Sequence, residues 1–298
     1  KAYDLRKSAY SLKRSRWSSG VPGLIGPRLH PLPHQLSVAT KVSERWNPRV
    51  LLADEVGLGK TIEAGLVASA LQSKGRAERI LIVTPQSLKH QWLMEMYRRF
   101  GANYTLLDEE RCLHEEASHI QSPFSLYQQI ICPIDLLLGS NERAKQVCQE
   151  KWDLVIFDEA HNYEWDEYEP HPGWELMKKI SAATTGLLIL TATPSRRGAQ
   201  TLFGLLHLID PDKYSNYDYF TEQMSKVNKT ATYARCLLNK EISKQEINGL
   251  QLFLSDDSEL TDLVSQLDAG KQCQKEILSK LVDHRPKILC LCFLSLTK

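Results

Sequence analysis

The chain has 298 residues and a net charge of +1, which excludes a uniformly basic nucleic-acid-binding composition. Its seven cysteines include no C-x-x-C pair, so we predict free thiols in a reducing compartment and neither a disulfide framework nor a zinc site. No apolar run is long enough to span a bilayer, and we expect no membrane partner.

Residues 1–30 are basic and rich in glycine and proline, which break helices. We interpret this segment as a solvated linker, and the alternative is an arm that faces nucleic acid. After Pro31 and Pro33, a helix is predicted from about His34. Gln35 lies at its start, where an amide can bond to N6 and N7 of adenine; a solvent-facing glutamine is the alternative. Apolar residues recur near a helical period at Leu36, Ala39, Val42 and Trp46.

The stretch LLADEVGLGKTIEAG predicts a phosphate-binding loop between a strand and a helix. Gly57 and Gly59 allow phosphates to approach the backbone, and the N–H groups of the turn and of the next helix converge on an anion. We expect Lys60 to reach the outer phosphates and the Thr61 hydroxyl to bind Mg²⁺. Asp54 stands where the G-x-x-x-x-G-K-[ST] signature has glycine, so an ordinary glycine-containing turn is the alternative.

From residue 49 onward, short apolar runs alternate with helical ones, which predicts an α/β fold with a parallel sheet covered on both faces. The predicted strands are 49–53, 80–84, 104–107, 129–132, 153–157 and 186–190. The predicted helices are 60–73, with Ile62, Leu66 and Ala70 on one face, and 86–100, with Leu88, Trp92, Met96 and Phe100 on one face. We interpret Trp92 and Trp152 as packing residues.

Polar residues follow three of these strands, at the edge where parallel sheets bind ligands. Asp158 and Glu159 open the sequence DEAH after LVIF. A carboxylate there can hold Mg²⁺ through its water shell, and its neighbour can orient or deprotonate a water molecule. TATP begins at Thr191 after LLIL, and TPQ begins at Thr84. DEAH as a helix cap and TATP as a turn are the alternatives, but the ordered set predicts a nucleotide hydrolase.

These motifs resemble the helicase-like ATPases of superfamily two and, within them, the Swi/Snf group. That group carries D-E-x-G-x-G-K-T in its phosphate loop, so Asp54 is expected there. The stretches QWLMEMYRRF and LFGLLHLIDPDKY are similar to a bacterial branch of the group that associates with RNA polymerase. The similarity covers about residues 23–279. It implies a RecA-like parallel sheet with helices on both faces, followed by a small helical C-terminal region.

The resemblance also implies roles for matching positions. Gln35 would recognise adenine, and the residues around the ATP phosphates would be Asp54, Glu55, Val56, Gly57, Leu58, Gly59, Lys60 and Thr61. The catalytic residues would be Lys60, Asp158 and Glu159, and the Mg²⁺ ligands would be Thr61 and Asp158. The residues that couple hydrolysis to motion on DNA would be His161, Thr191 and Thr193. The residues near the nucleic-acid backbone would be Thr84, Pro85 and Gln86.

The implied partners are DNA and RNA polymerase, with a role in recycling the polymerase after transcription and a location in the cytoplasm on the nucleoid. Such ATPases have two RecA-like lobes, and the second supplies arginines to the γ-phosphate. An arginine of that kind is worth about 10³–10⁵ in rate in other nucleotide hydrolases. After Tyr214 the pattern becomes helical, and no Q-x-x-x-R-x-x-R motif follows. We therefore expect a fragment that is inactive alone and needs a second lobe from a longer chain or a separate piece.

The sequence predicts four segments: a basic linker or arm at 1–30, an ATP-binding lobe at 31–212, a helical extension at 213–283 and an atypical tail at 284–298. One face of the extension is predicted to carry Leu260, Leu263, Val264 and Leu267. The tail, HRPKILCLCFLSLTK, does not resemble the family. We interpret it as a displaced strand or as the product of a truncation or shifted reading frame.

Three alternatives stay open. In the first, the chain is the ATP-binding lobe of another bacterial Swi/Snf-like helicase, for example one in phage defence. In the second, it is a nucleotide-binding module without turnover. A phosphate-loop kinase or GTPase is disfavoured, because DEAH and TATP would have no role there.

Overall fold

The computed structural model describes residues 31–53, 59–118, 122–192 and 198–239, together with Tyr3, residues 6–8, Val264, Phe293 and Leu294. The chain divides into two compact units, one formed by residues 1–215 with 292–298 and the other by residues 216–291. The four segments predicted from the sequence stay a prediction.

The first unit alternates helices with parallel strands. Its helices are α1 (Pro33–Glu44), α2 (Lys60–Ser73), α3 (Lys89–Glu95), α4 (Glu109–Ser118), α5 (Ile134–Gly139), α6 (Asn141–Gln149), α7 (Pro172–Ala182) and α8 (Ala199–Ile209). Its strands are β1 (Arg49–Leu52), β2 (Ile80–Thr84), β3 (Thr105–Leu106), β4 (Gln129–Pro133), β5 (Trp152–Phe157), β6 (Thr184–Leu190) and β7 (Phe293–Leu294).

The strands that the structure describes all run parallel in one seven-stranded sheet, in the order β3-β4-β2-β5-β6-β1-β7. In this order β5 lies between β2 and β6, and β1 is the next strand. Phe157 at the end of β5 stands opposite Val83 of β2 and Ile189 of β6. The register therefore brings the carboxyl ends of these strands to one edge. All six strands predicted from residue 49 to residue 190 are confirmed.

Helices cover both faces of the sheet, as predicted. On one face, α1, α2 and α3 bury Val42, Leu66 and Trp92 in a core with Val50 and Ile82 of the sheet. On the other face α7 packs against α8, and the Trp174 indole N–H donates to the Gly204 carbonyl at 3.1 Å. This two-sided burial explains why the strands are continuously apolar.

The helix predicted at residues 86–100 is not continuous. Gln86–Leu88 form a 3₁₀ turn, α3 follows, and Met96–Phe100 form a π-helical turn. This last turn packs tightly against α2. The Phe100 ring lies so close to Gly65 that a Cβ atom at that position would be 2.4 Å from it.

The interpretation of Trp46 as part of the apolar face of α1 is wrong. The helix ends at Glu44, and the Trp46 side chain is 82% exposed. Arg76 explains this end of the helix, because its guanidinium donates to the Ser43 carbonyl at 2.8 Å and stacks on the Trp46 ring at 5.4 Å. Ala39 and Val42 are buried as predicted.

The second unit contains α9 (Tyr217–Asn239), in the region where a helical pattern is predicted. Val264 is helical and buried. The other predicted apolar positions of the extension, Leu260, Leu263 and Leu267, lie outside the described residues. Among the helices that the structure describes, none is long and apolar enough to cross a membrane.

Candidate active site

Two backbone hydrogen bonds join the strand ends that carry the sequence motifs. The N–H of Asp158 donates to the Val83 carbonyl at 2.9 Å, and the N–H of Thr191 donates to the Leu52 carbonyl at 3.1 Å. The end of β5 is thereby held against β2, and the end of β6 against β1. The first residues of DEAH and TATP, Asp158 and Thr191, consequently lie with the end of the phosphate-loop strand at one edge of the sheet.

The N-terminus of α2 presents backbone donors at this edge. Gly59 caps the helix with φ +86°, a left-handed conformation that favours glycine. The N–H groups of Ile62 and Glu63 donate to the Gly59 carbonyl at 2.8 and 3.0 Å. Lys60 and Thr61 lie in the first helical turn, whose N–H groups and partial positive charge favour an anion. The predicted loop residues before Gly59, from Asp54 to Leu58, lie outside the described residues.

Gln35 lies directly over this turn. A Cβ atom at Gly59 would stand 2.5 Å from Gln35 Nε2, so the amide and the glycine are in close contact. The Leu32 N–H donates to Gln35 Oε1 at 3.0 Å and orients the amide. Because Gln35 is only 6% exposed, the alternative of a solvent-facing glutamine is wrong.

Asp158 is a buried carboxylate with a donor on each oxygen. The Trp92 indole N–H donates to Oδ2 at 2.7 Å, and the Glu159 backbone N–H donates to Oδ1 at 2.9 Å. Burial raises the pKa of Asp158 above its ordinary value, and the Trp92 hydrogen bond opposes this rise. The charge of Glu159 raises the same pKa further, whereas the charge of Lys60 lowers it.

Glu159 is held in a strained backbone conformation. Its φ is +48°, and among the described residues it is the one non-glycine residue with positive φ. Such residues cost of order 1–3 kcal/mol and cluster at active sites. Its Oε2 atom lies 3.1 Å from His161 Nδ1. The turn therefore places the carboxylate of Glu159 and the imidazole of His161 next to each other.

The first turn of α2 and the carboxylates of Asp158 and Glu159 open onto one cleft of about 330 Å³, a volume within the range of small-molecule sites. It is lined by Gly59, Lys60, Thr61, Ile62, Leu88, Gln91, Trp92, Glu95, Arg99, Asp158 and Glu159. The structure thus brings together the three predicted catalytic residues and both predicted Mg²⁺ ligands. Gln35, His161 and Thr191 do not line this cleft.

Two threonines at this edge are buried. The Thr84 side chain is 1% exposed and that of Thr191 is fully buried. Among the described residues, neither hydroxyl has a hydrogen-bond partner. Of the residues predicted to lie near the nucleic-acid backbone, Thr84 is therefore buried, whereas Gln86 is exposed. Thr193 lies outside the described residues.

The oxygen atoms at the cleft fit Mg²⁺. Thr61 supplies a hydroxyl and Asp158 a carboxylate. Mg²⁺ prefers oxygen ligands and is bound through one or two protein groups together with phosphates and water. The described residues contain no group of three or more His, Cys, Asp or Glu side chains that could hold a metal ion. A site of this kind accordingly depends on phosphate as a ligand.

Two features of the cleft wall are absent from the sequence prediction. Trp92 is a core residue as expected, but it also donates to Asp158. Gln91, Glu95 and Arg99 lie four residues apart along α3 and the π-helical turn. That i, i+4 spacing of polar residues, beside the apolar face at Trp92 and Met96, was the available signal for them.

Three comparisons place these observations among known proteins. A protein-family model described as SNF2-related domain matches residues 34–267. RNA polymerase-associated protein RapA of Actinobacillus pleuropneumoniae serotype 3 (strain JL03) is 39% identical over 295 residues, which cover 95% of this chain and 30% of that protein. The RapA protein of Vibrio atlanticus (strain LGP32) is 40% identical over 264 residues, which cover 89% of this chain and 26% of that protein. The chain thus spans less than a third of the length of these curated relatives.

Among solved structures, the Sulfolobus solfataricus SWI2/SNF2 ATPase core in complex with dsDNA matches with a TM-score of 0.56 at 15% sequence identity. The match covers 89% of this chain and 60% of that chain. A second structure, that of the Sulfolobus solfataricus SWI2/SNF2 ATPase core domain, matches with a TM-score of 0.54 at 17% identity. At this level of identity the likeness concerns the fold, and it confirms the predicted RecA-like architecture.

Proposed function

The chain belongs to the SNF2-related domain family, and from this premise we propose that it is the first ATP-binding lobe of a DNA-dependent ATPase that acts on RNA polymerase. One observation carries the proposal. The N-terminal turn of α2, with Lys60 and Thr61, and the carboxylates of Asp158 and Glu159 line the same cleft. This arrangement provides a phosphate cradle and an acidic pair at one place, which is what nucleotide hydrolysis requires.

In the proposed site, Lys60 and the N–H groups of α2 bind the outer phosphates of ATP. Thr61 and Asp158 would hold Mg²⁺, which when bound neutralises charge on the phosphates. Glu159 orients the attacking water and accepts its proton. Gln35 recognises adenine from its position over Gly59.

His161 and Thr191 couple hydrolysis to motion on DNA in this proposal. The contact of 3.1 Å between His161 Nδ1 and Glu159 Oε2 supports it for His161, since any movement of the imidazole acts on that carboxylate. The position of Thr191 between the ends of β6 and β1 supports it for the threonine.

The partners in the proposal are double-stranded DNA and RNA polymerase. RNA polymerase is inferred from the RapA relatives, which are RNA polymerase-associated proteins, and DNA from the complex solved for the Sulfolobus solfataricus core. We place the whole protein in the cytoplasm on the nucleoid, with a role in recycling the polymerase after transcription. A second lobe, in the part of the relatives that this chain does not span, would supply the arginines. The RapA similarity favours this branch over another Swi/Snf-like helicase.

The first test is ATP binding by the substitution Lys60→Ala. Removing the ammonium deletes a charge-assisted contact worth about 1.5–3 kcal/mol, so the dissociation constant measured by calorimetry should rise by about 10- to 100-fold. Lys151→Ala is the matched control, because this exposed lysine precedes β5 at the opposite edge of the sheet. Unchanged ATP affinity in Lys60→Ala would refute the proposed site.

A nucleotide-binding module without turnover is the second candidate. It is favoured by the fact that the chain spans at most 30% of the length of the RapA relatives. An ATPase assay of the purified chain, with and without duplex DNA, tests this second candidate. ATP binding without turnover fits a lobe that works only within a longer protein. DNA-stimulated turnover by the purified chain would rule out the module.

A further inference from the structure

We infer that Trp92 is a positioning residue of the ATP site, which orients the Asp158 carboxylate for Mg²⁺ through its indole N–H. The inference rests on the proposed function, since it concerns how the proposed metal ligand is held. From the sequence alone, Trp92 is interpreted as a packing residue.

The geometry distinguishes the two ends of this side chain. Trp92 is 1% exposed and belongs to the hydrophobic core that α1, α2 and α3 form with the sheet. Its Nε1–H nevertheless points at the functional edge, where it donates to Asp158 Oδ2 at 2.7 Å. A tightly packed ring leaves the N–H little freedom, so its direction is set by the core.

The carboxylate of Asp158 is constrained at both oxygens as a result. Oδ2 accepts from Trp92, and Oδ1 accepts from the backbone N–H of Glu159 at 2.9 Å. Two donors on different oxygens fix the plane of a carboxylate, and each oxygen keeps a lone pair for another partner. The plane is therefore preset relative to Thr61, the other oxygen donor of the cleft.

The topology explains why a residue 66 positions away in sequence performs this task. β2 is the neighbour of β5 in the sheet, and α3 follows β2 after a single 3₁₀ turn. The helix therefore starts beside the end of β5, and its first turn brings Trp92 within reach of Asp158. Groups that orient a metal ligand in this way typically contribute 10- to 100-fold to metal affinity.

The test compares Trp92→Phe with Trp152→Phe in the full 298-residue chain. Both substitutions keep a buried aromatic ring and delete one indole N–H. The N–H of Trp152 donates to the Val147 carbonyl at 3.1 Å, far from the cleft residues in the fold, at the start of β5. The dissociation constant of ATP is measured by calorimetry with Mg²⁺ and again with EDTA. The readout is the ratio of the two constants.

Trp92→Phe should reduce the Mg²⁺-dependent gain in ATP affinity by about tenfold and leave the affinity in EDTA unchanged. Trp152→Phe should change neither. In the background of Asp158→Asn, Trp92→Phe should have no further effect, because the residue acts through that carboxylate. Equal losses with Mg²⁺ and with EDTA would indicate a packing role only and would overturn the inference.

A measurement on the unsubstituted chain does not depend on how the variants fold. In ¹H–¹⁵N spectra of the ATP-bound protein, addition of Mg²⁺ should shift the Trp92 indole resonance and leave that of Trp152 in place. A static Trp92 resonance counts against the inference. If Lys60→Ala weakens ATP binding but Trp92→Phe keeps the full Mg²⁺ gain, this inference fails and the proposed function stands. If the unsubstituted chain gains no ATP affinity from Mg²⁺, both fail.

Discussion

The amino-terminal edge of the sheet carries partly buried charges that each make several hydrogen bonds, whereas the carboxyl-terminal edge carries buried polar groups, two of which have no hydrogen-bond partner among the described residues. At the amino-terminal edge, the Arg49 guanidinium donates to the carbonyls of Ser181, Thr184, Leu208 and Ile209 at 2.6–3.1 Å. Nearby, Asp153 Oδ2 accepts the N–H groups of Glu78 and Arg79, each at 2.8 Å. These bonds join the ends of α7 and α8 to β1 and close the loop before β2.

At the carboxyl-terminal edge, the described residues give the buried hydroxyls of Thr84 and Thr191 no hydrogen-bond partner. Glu159 has a strained backbone there, and burial raises the pKa of Asp158. Each of these features costs stability. The amino-terminal edge therefore stabilises the fold, whereas the carboxyl-terminal edge holds polar groups that a ligand can contact. Four pairs of substitutions test this contrast.

The largest effect is expected at the stabilising edge, from Arg49→Ala. The change leaves four helix-end and strand carbonyls without their donor, and we expect a loss of about 3 kcal/mol in the free energy of unfolding measured with urea. ATP affinity of the folded protein should not change. Arg98→Ala, at an exposed position, is the control and should cost less than about 0.5 kcal/mol. A loss at Arg49 as small as that of the control would contradict the stabilising role.

The second comparison is Gly59→Ala with Gly75→Ala, at the two ends of α2. Both glycines have positive φ, +86° and +67°, so each alanine should cost about 1–2 kcal/mol of stability. A Cβ atom at Gly59 would also displace Gln35 Nε2, whereas nothing lies within 4 Å of one at Gly75. Only Gly59→Ala should therefore weaken ATP binding, by about tenfold, as measured by calorimetry. Equal ATP affinities would remove Gln35 and Gly59 from the site.

The third substitution should stabilise the protein. Glu159→Gly relieves a left-handed backbone worth about 1–2 kcal/mol, against an entropic cost of glycine of about 0.5–1 kcal/mol. We expect a net gain of about 0.5–1 kcal/mol in the free energy of unfolding measured with urea. Glu159→Gln keeps the strain and should show no such gain. If both variants have the stability of the unsubstituted chain, the strain at this edge is absent in solution.

The smallest effect separates two threonines at opposite ends of β6. The Thr184 hydroxyl donates to the Ile180 carbonyl at 2.7 Å, so Thr184→Val should lose about 0.5–1 kcal/mol. This is modest because the N–H of Ala183 also donates to that carbonyl. Thr191→Val deletes a hydroxyl without a described partner and should be neutral or slightly stabilising. Thermal unfolding of the pair gives the order, and a larger loss at Thr191 would reverse the contrast between the edges.

Much of the fold follows from local patterns in the sequence. The strands at residues 80–84 and 129–133 are apolar apart from Thr84 and Gln129, and the helix at residues 60–73 begins with the Lys-Thr pair that follows Gly59, so the sequence predicts each of them to within one residue. The helices α4 to α8 are not among the elements predicted from the sequence. The local pattern also fails to predict that α1 ends at Glu44. Arg76, which bonds to the carbonyls at this end, is distant from them in sequence.

The sequence by itself determined which chemical groups stand at which strand ends, because strand, turn and helix patterns are local and the motifs Lys60-Thr61, Asp158-Glu159 and Thr191 follow them directly. The tertiary structure alone decided which of these groups meet. The order of strands in the sheet placed β5 beside β2, and so put the Trp92 N–H on Asp158. The packing of α1 on α2 placed Gln35 over Gly59. Such contacts depend on crossovers between distant segments, which no local period encodes.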